Sequence, residues 1–344
     1  MRCHWCYAKG TEYDPSENMP IQRALELMFA MQAVGVKSIT LIGGEPTLWK
    51  PLLEFNSEAK RIGMKTTLVT NATRFGNDAF WDAYRENPCT MTSLSIKAFN
   101  EESYLCVTGH SNFQITKTGI SRAFQLDSAR ATVVYTGENP DEIVQLARFA
   151  IECGAKGLSI SPATPAYISG KPESDFLTHP ERFVRGIVEN YDELDRLFAG
   201  KFSISVKLPL CMWPRKLIKQ MMDRSQIFTS CQLQHRSGLI FDVNGRLLSC
   251  NSLPDYPIGE WGKDFTNADS LKKHIGSAPV VQFYDRMTTY ASSKCMTCSV
   301  KHLCGGGCPL FYGVYEASGL IKGWDTDNED GVQLGNARCA TCDS

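Results

Sequence analysis

The chain has 344 residues, 43% hydrophobic and 21% charged, enough for one large or two medium domains with a real core. Its 36 basic and 37 acidic residues leave a net charge of -1, which excludes the basic footprint of a nucleic-acid binder or an anionic-membrane binder. No apolar run approaches the roughly 18–20 residues of a membrane span, and the N-terminus lacks a signal-peptide pattern.

Cys3-His4-Trp5-Cys6-Tyr7 opens the chain. An amphipathic helix is expected over 20–34, with Pro20 suited to its first turn and Gly35 to its close. Strands are expected at Ser38–Ile42, Lys65–Thr70, Met91–Ile96, Arg130–Tyr135 and Gly157–Ile160. Helix-length segments lie between them, near 50–62, 77–87, 112–126 and 140–153, and Gly154 is placed to end the last. Alternation of this kind predicts an α/β fold with a parallel sheet and right-handed crossovers. A repeat that begins on its helix lacks its first strand.

Pro180–Phe198 reads as one amphipathic helix, and Phe202–Leu208 as a further strand. After about residue 225 the alternation stops, and turn residues and cysteines dominate. The expected organisation is a core over 1–224, with a helical linker about 167–224, and a small metal-stapled domain over 225–344.

Of fourteen cysteines, seven lie between Cys231 and Cys339, and Cys342 is an eighth. With no secretion signal the chain is expected in the cytoplasm, where clustered CxxC spacings read as metal or redox sites rather than disulfides. Cys89, Cys106 and Cys153 read as small buried apolar residues.

The front CxxC alone is weak. It gains weight from Gly43-Gly44-Glu45-Pro46-Thr47, which follows a strand at the edge where parallel α/β folds bind ligands. The bland alternative is an ordinary strand-to-helix turn. Together the two motifs resemble the radical SAM (S-adenosylmethionine) superfamily, which carries CxxxCxφC after its first strand and GGE after its second. That resemblance implies a partial (β/α)6 barrel and a [4Fe-4S] cluster that chelates S-adenosylmethionine. Cys3 and Cys6 match its second and third cysteines, and the first would fall upstream of Met1. Trp5 matches the aromatic beside the adenine. Gly43, Gly44 and Glu45 match the stretch that binds the methionine amino group. Asn71, Ser95 and Arg130 match residues around the ribose and carboxylate. Lys97 stands where the family has an acidic residue.

The second half carries Cys231, Gly245 and Cys250, then Cys295-x2-Cys298-x5-Cys304-x3-Cys308, then Cys339 or Cys342. Gly305-Gly306-Gly307 can bring backbone amides to cluster sulfurs. A zinc ribbon of Cys295, Cys298, Cys339 and Cys342 would leave four cysteines unexplained. The whole pattern looks like the SPASM extension of radical SAM enzymes, which holds two auxiliary [4Fe-4S] clusters. The resemblance implies Cys231, Cys250 and Cys308 for the first. Cys295, Cys298, Cys304 and the last cysteine would hold the second. A fourth ligand of the first stays open, with Cys211 and Cys342 as candidates.

By resemblance the chain is an enzyme that cleaves S-adenosylmethionine reductively and takes hydrogen from a peptide or protein substrate. It would need an external electron donor such as flavodoxin or ferredoxin. Sulfatase-maturing relatives place an aspartate base after the cysteine of the Gly-x4 element. Asn251 stands there, and an amide cannot take that role. Ribosomal peptide maturation is therefore the first expectation. Sulfatase maturation and a non-catalytic iron–sulfur protein are the alternatives.

Overall fold

A computed structural model describes residues 3–8, 11, 13, 14, 17–173, 178–228, 231–288 and 292–323. Cys339 and Cys342 lie outside the described residues. The first elements are α1 (Ile21–Ala33), β1 (Ser38–Leu41), α2 (Leu52–Arg61), β2 (Lys65–Thr70), α3 (Asp78–Glu86) and β3 (Met91–Ile96). Next come α4 (Glu101–Thr108), α5 (Phe113–Ala123), β4 (Ala129–Tyr135), α6 (Glu142–Glu152) and β5 (Leu158–Pro162). They are followed by β6 (Ala166–Ile168), β7 (Lys171–Glu173), α7 (Pro180–Glu189), α8 (Tyr191–Phe198), β8 (Phe202–Ser205), α9 (Arg215–Asp223) and β9 (Ile227–Phe228).

Seven strands form one sheet in the order β1-β2-β3-β4-β5-β8-β9, each parallel to its neighbours. The order never reverses, so this is a half-barrel rather than a doubly wound sheet with a switch point. Period-two alternation places Leu68, Leu94, Val133, Ile160 and Ile204 in the buried layer. The opposite face carries small polar residues, bridged where Ser159 and Ser203 hydroxyls meet at 3.2 Å.

Four local features depart from expectation. Helix α4 was not foreseen; Asn100 starts it with a capping box, accepting from the Ser103 N–H at 2.8 Å. It carries Cys106, which is exposed, whereas Cys89 and Cys153 are buried as expected. β6 and β7 make a hairpin whose turn residues Ser169 and Gly170 have φ of 50° and 78°, both positive as a two-residue turn requires. The single helix expected over 180–198 breaks at Asn190, whose side-chain amide donates to the carbonyls of Gly186 and Pro140.

The C-terminal half contains α10 (Gln232–His235), β10 (Ile240–Phe241), β11 (Arg246–Leu248), β12 (Pro257–Glu260), α11 (Ala268–Ile275) and α12 (Ala278–Met287). β10–β12 form a small antiparallel sheet that packs on α1 through Ala30, Leu247, Phe265 and Leu271. The expected division near 224 does not interrupt the fold. β9 lies beyond it yet pairs with β8, and one apolar core joins Leu94 and Ile160 to Leu233, Phe311 and Val314.

Candidate functional site

Site residues gather where the parallel strands end. After β1 the chain turns through Gly43, whose φ of 153° belongs to glycine, and Gly44. A Cβ on either would meet nothing within 4 Å, so their backbone lies open. The Glu45 carboxylate closes this turn onto the next strand. Its Oε1 accepts from the Thr47 N–H (3.1 Å), the Thr47 hydroxyl (2.7 Å) and the Thr70 hydroxyl (2.6 Å). Its Oε2 accepts from the Asn71 N–H at 2.8 Å. The side chain is thus committed to the scaffold, which leaves backbone as the ligand-facing part. Asn71 in turn accepts from the Thr73 N–H at 2.9 Å. Ala72 beside it holds the left-handed conformation, φ 63°.

Ser95, near the end of β3, accepts from Lys97 Nζ at 2.6 Å. Lys97 also lies close enough to Cys3 to favour its thiolate, against burial that pushes the thiol up. Cys3 is buried, Cys6 is half-buried, and the Cys6 N–H donates to the Cys3 carbonyl at 3.1 Å. Trp5 Nε1 is buried without a hydrogen-bond partner. Cys3, Cys6, Ser95 and Lys97 are therefore brought together.

Arg130 is not. It is the second residue of β4, exposed, with its guanidinium donating to the carbonyls of Asp127 and Ala129 at 2.7 Å each. Five further residues at about 3.3 Å each separate it from the strand's C-terminal end, so it sits at the opposite edge of the sheet. The resemblance-based role for Arg130 is withdrawn.

The C-terminal half seats its cysteine loops on the same edge as the front pair. Beyond β8, the Lys207 carbonyl accepts from the Cys308 N–H at 2.6 Å. Beyond β5, Tyr167 donates its N–H to Ser252 at 2.9 Å and its hydroxyl to the Leu310 carbonyl at 2.9 Å. Cys231, Cys250 and Cys308 form one electrostatic group, facing Lys207. Full burial pushes the Cys308 thiol up to about 12, and Lys207 opposes this. A second group holds Cys295, Cys298 and Cys304, joined by Cys211. Burial pushes Cys304 up to about 11. The Tyr7 phenol is raised by burial first, then by Cys6, Tyr13 and Cys250, so it lies within electrostatic reach of a front and a back cysteine.

Backbone amides point at these sulfurs. The Leu210 N–H donates to Cys304 at 3.3 Å and the Ser252 N–H to Cys250 at 3.4 Å. Among the described residues no three of His, Cys, Asp and Glu converge on one point for a single metal ion. Thiols with backbone amide donors are the donor set that suits a polynuclear cluster, in which each thiolate takes its own iron.

Residues 1–150 match the family model for the Radical SAM superfamily. A S-adenosylmethionine-dependent nucleotide dehydratase of Lacinutrix mariniflava is 34% identical over 137 residues, 37% of this chain and 26% of the relative. A GTP 3',8-cyclase of Helicobacter pylori is 26% identical over 207 residues, 59% of this chain and 60% of the relative. The chain thus spans less than two thirds of these relatives. Among solved structures, anSMEcpe with bound AdoMet is similar at a TM-score of 0.64 and 17% identity, over 89% of this chain and 85% of that one. Streptococcus suis SuiB bound to its precursor peptide SuiA is similar at 0.60 and 16%, over 89% and 68%. At such identities the likeness is one of fold.

Proposed function

We propose, from the match of residues 1–150 to the radical SAM family model, that the protein is a peptide- or protein-modifying radical enzyme with a SPASM-type C-terminal half. The observation that carries this reading is the placement of both back thiol groups on the strand-end edge that holds Cys3 and Cys6. Cys3 and Cys6 would hold a [4Fe-4S] cluster, which would supply the electron for reductive cleavage of S-adenosylmethionine.

This chain's residues bind and orient. The open backbone of Gly43 and Gly44 receives the methionine end of the cofactor, and Glu45 keeps that backbone in register with β2. Lys97 holds the Ser95 hydroxyl and supplies positive charge beside Cys3. The orphan Trp5 indole N–H is available to a bound ligand. The C-terminal loops seat on the same strand-end edge at Lys207 and Tyr167, where they would help shield a radical from water. Asn251 offers no base after Cys250, which keeps sulfatase-type maturation second.

The test is anaerobic reconstitution followed by reduction with S-adenosylmethionine present. Formation of 5′-deoxyadenosine, lost in C3A and C6A, supports the reading; its absence removes it. Deuterium passing from a labelled peptide into 5′-deoxyadenosine supports a peptide substrate. The names of the curated relatives favour one other class, a nucleotide, and stimulation by GTP instead of peptide would establish it.

A further inference from the structure

Cys211 stands outside the cysteine spacing of the C-terminal half. It lies in the short turn Leu210–Met212 that follows β8, and the sequence offers it to the first back group. The fold puts it with the second. The Leu210 N–H donates to Cys304 Sγ at 3.3 Å. Three residues earlier in the strap, the Lys207 carbonyl accepts from the Cys308 N–H at 2.6 Å. A Cβ on Gly307 would stand 2.8 Å from the Lys207 oxygen and 2.9 Å from Pro209, so the 207–211 strap lies directly on the 304–308 loop. The backbone N–H groups of Lys322 and Gly323 face the Cys211 sulfur. The Lys322 carbonyl also accepts from Lys294 Nζ at 3.1 Å, which draws the turn carrying Cys295 to the same place. Cys211 and Cys298 lie within electrostatic reach of each other, and Cys295 and Cys304 both lie within reach of Cys211.

We infer that Cys211 is the fourth thiolate of the second back group, so that Cys211, Cys295, Cys298 and Cys304 hold one iron–sulfur cluster without Cys339 or Cys342. The inference rests on reading the C-terminal half as an iron–sulfur carrier. Its chemistry follows from the donor set: four soft thiolates, each on one iron, with amide N–H groups stabilising sulfur charge. It also gives Cys211 a mechanical role. Three of the ligands sit in the C-terminal loops and the fourth on the barrel strap, so loading the cluster pins the two together.

The test uses the full chain carrying C3A and C6A, which confines iron to the back half. The protein is reconstituted anaerobically with ferrous iron and sulfide, then assayed for bound iron, acid-labile sulfide and zinc. This parent is expected to bind about eight irons, two cubanes' worth. Adding C211A lowers the count to about four, with one cubane lost, whereas adding C339A and C342A instead leaves about eight. The assignment is overturned if C211A keeps its iron. It is equally overturned if the C339A/C342A protein, with the first group also emptied by C231A and C250A, binds no iron, whatever C211A does; that second arm stays decisive should C211A misfold. A parent that takes up zinc, or no iron, overturns the iron–sulfur reading itself and the assignment with it.

Discussion

The Thr70 hydroxyl donates to Glu45 Oε1 across 2.6 Å and so couples the loop after β1 to the end of β2. The same oxygen takes two more bonds from Thr47, and the second oxygen takes the Asn71 N–H. A residue read from sequence as ligand-binding thus works chiefly by holding backbone in place. Glu45→Gln sets an amide N–H against donors and is expected to cost about 1–3 kcal/mol. Thermal melting of the purified variant reads this directly; a melting temperature equal to the parent's would show that the carboxylate is dispensable to the scaffold.

Lys97 is the cation beside Cys3. Lys97→Met removes the largest influence opposing burial, so the Cys3 thiol rises further and reacts more slowly. Alkylation of Cys3 by iodoacetamide near pH 8, followed by peptide mass spectrometry, is expected to slow several-fold while Cys106 reacts as before. Equal Cys3 rates in both proteins would refute the electrostatic role.

The Arg130 guanidinium donates to the near carbonyls of Asp127 and Ala129, at the edge remote from the thiols. Arg130→Ala should leave S-adenosylmethionine affinity unchanged within about twofold and stability within about 0.5 kcal/mol. A tenfold loss of affinity by equilibrium dialysis would restore the role that the resemblance suggested.

Gly119 lets α5 lie against the loop after β2. A Cβ there would stand 2.0 Å from the Ala72 carbonyl oxygen and 3.0 Å from the Gly76 nitrogen. Neither backbone atom can yield without moving the Asn71 turn. Gly119→Ala is expected to destabilise by about 2 kcal/mol or more, read as a lowered urea midpoint. Full stability would mean that the helix shifts freely.

Tyr13 anchors the segment after the front cysteines to the small C-terminal sheet. Its hydroxyl donates to Asp242 at 2.8 Å and accepts from Arg246 at 3.0 Å. Burial, the largest cause, and then Asp242 push its phenol from 10.0 up to about 12. The folded value exceeds the unfolded one, so this stability is complete below pH 10 and is lost as pH rises towards 12. The stability advantage of the parent over Tyr13→Phe should be flat at neutral pH and shrink across that window. A constant difference would contradict the assignment.

Much of the barrel was legible because each strand is a short apolar run bounded by helix-length segments, with Gly35 and Gly154 closing two helices at positive φ. The front pair and the Gly43–Glu45 turn were legible because a strand end is a site by topology. Helix α4 was missed although Asn100 and Ser103 spell its cap, because eight residues carry little periodicity. Arg130 was misread although its place early in β4 already puts it at the far edge. Cys211 was assignable only in three dimensions. Its proposed partners lie more than eighty residues downstream, and the hydrogen bond from neighbouring Leu210 to the Cys304 sulfur is what ties it to that thiol group.

β9 is two residues long, yet it is the final strand of the barrel sheet, and the chain reaches it only on its way into the cysteine loops. A fragment ending near 224 would therefore present β8 as a bare edge and lose the apolar cover of Leu233, Phe311 and Val314. Such a fragment would be adhesive rather than merely inactive. The two halves of this sequence share one sheet and one apolar core, so a cut near 224 lays bare surface that each now covers on the other.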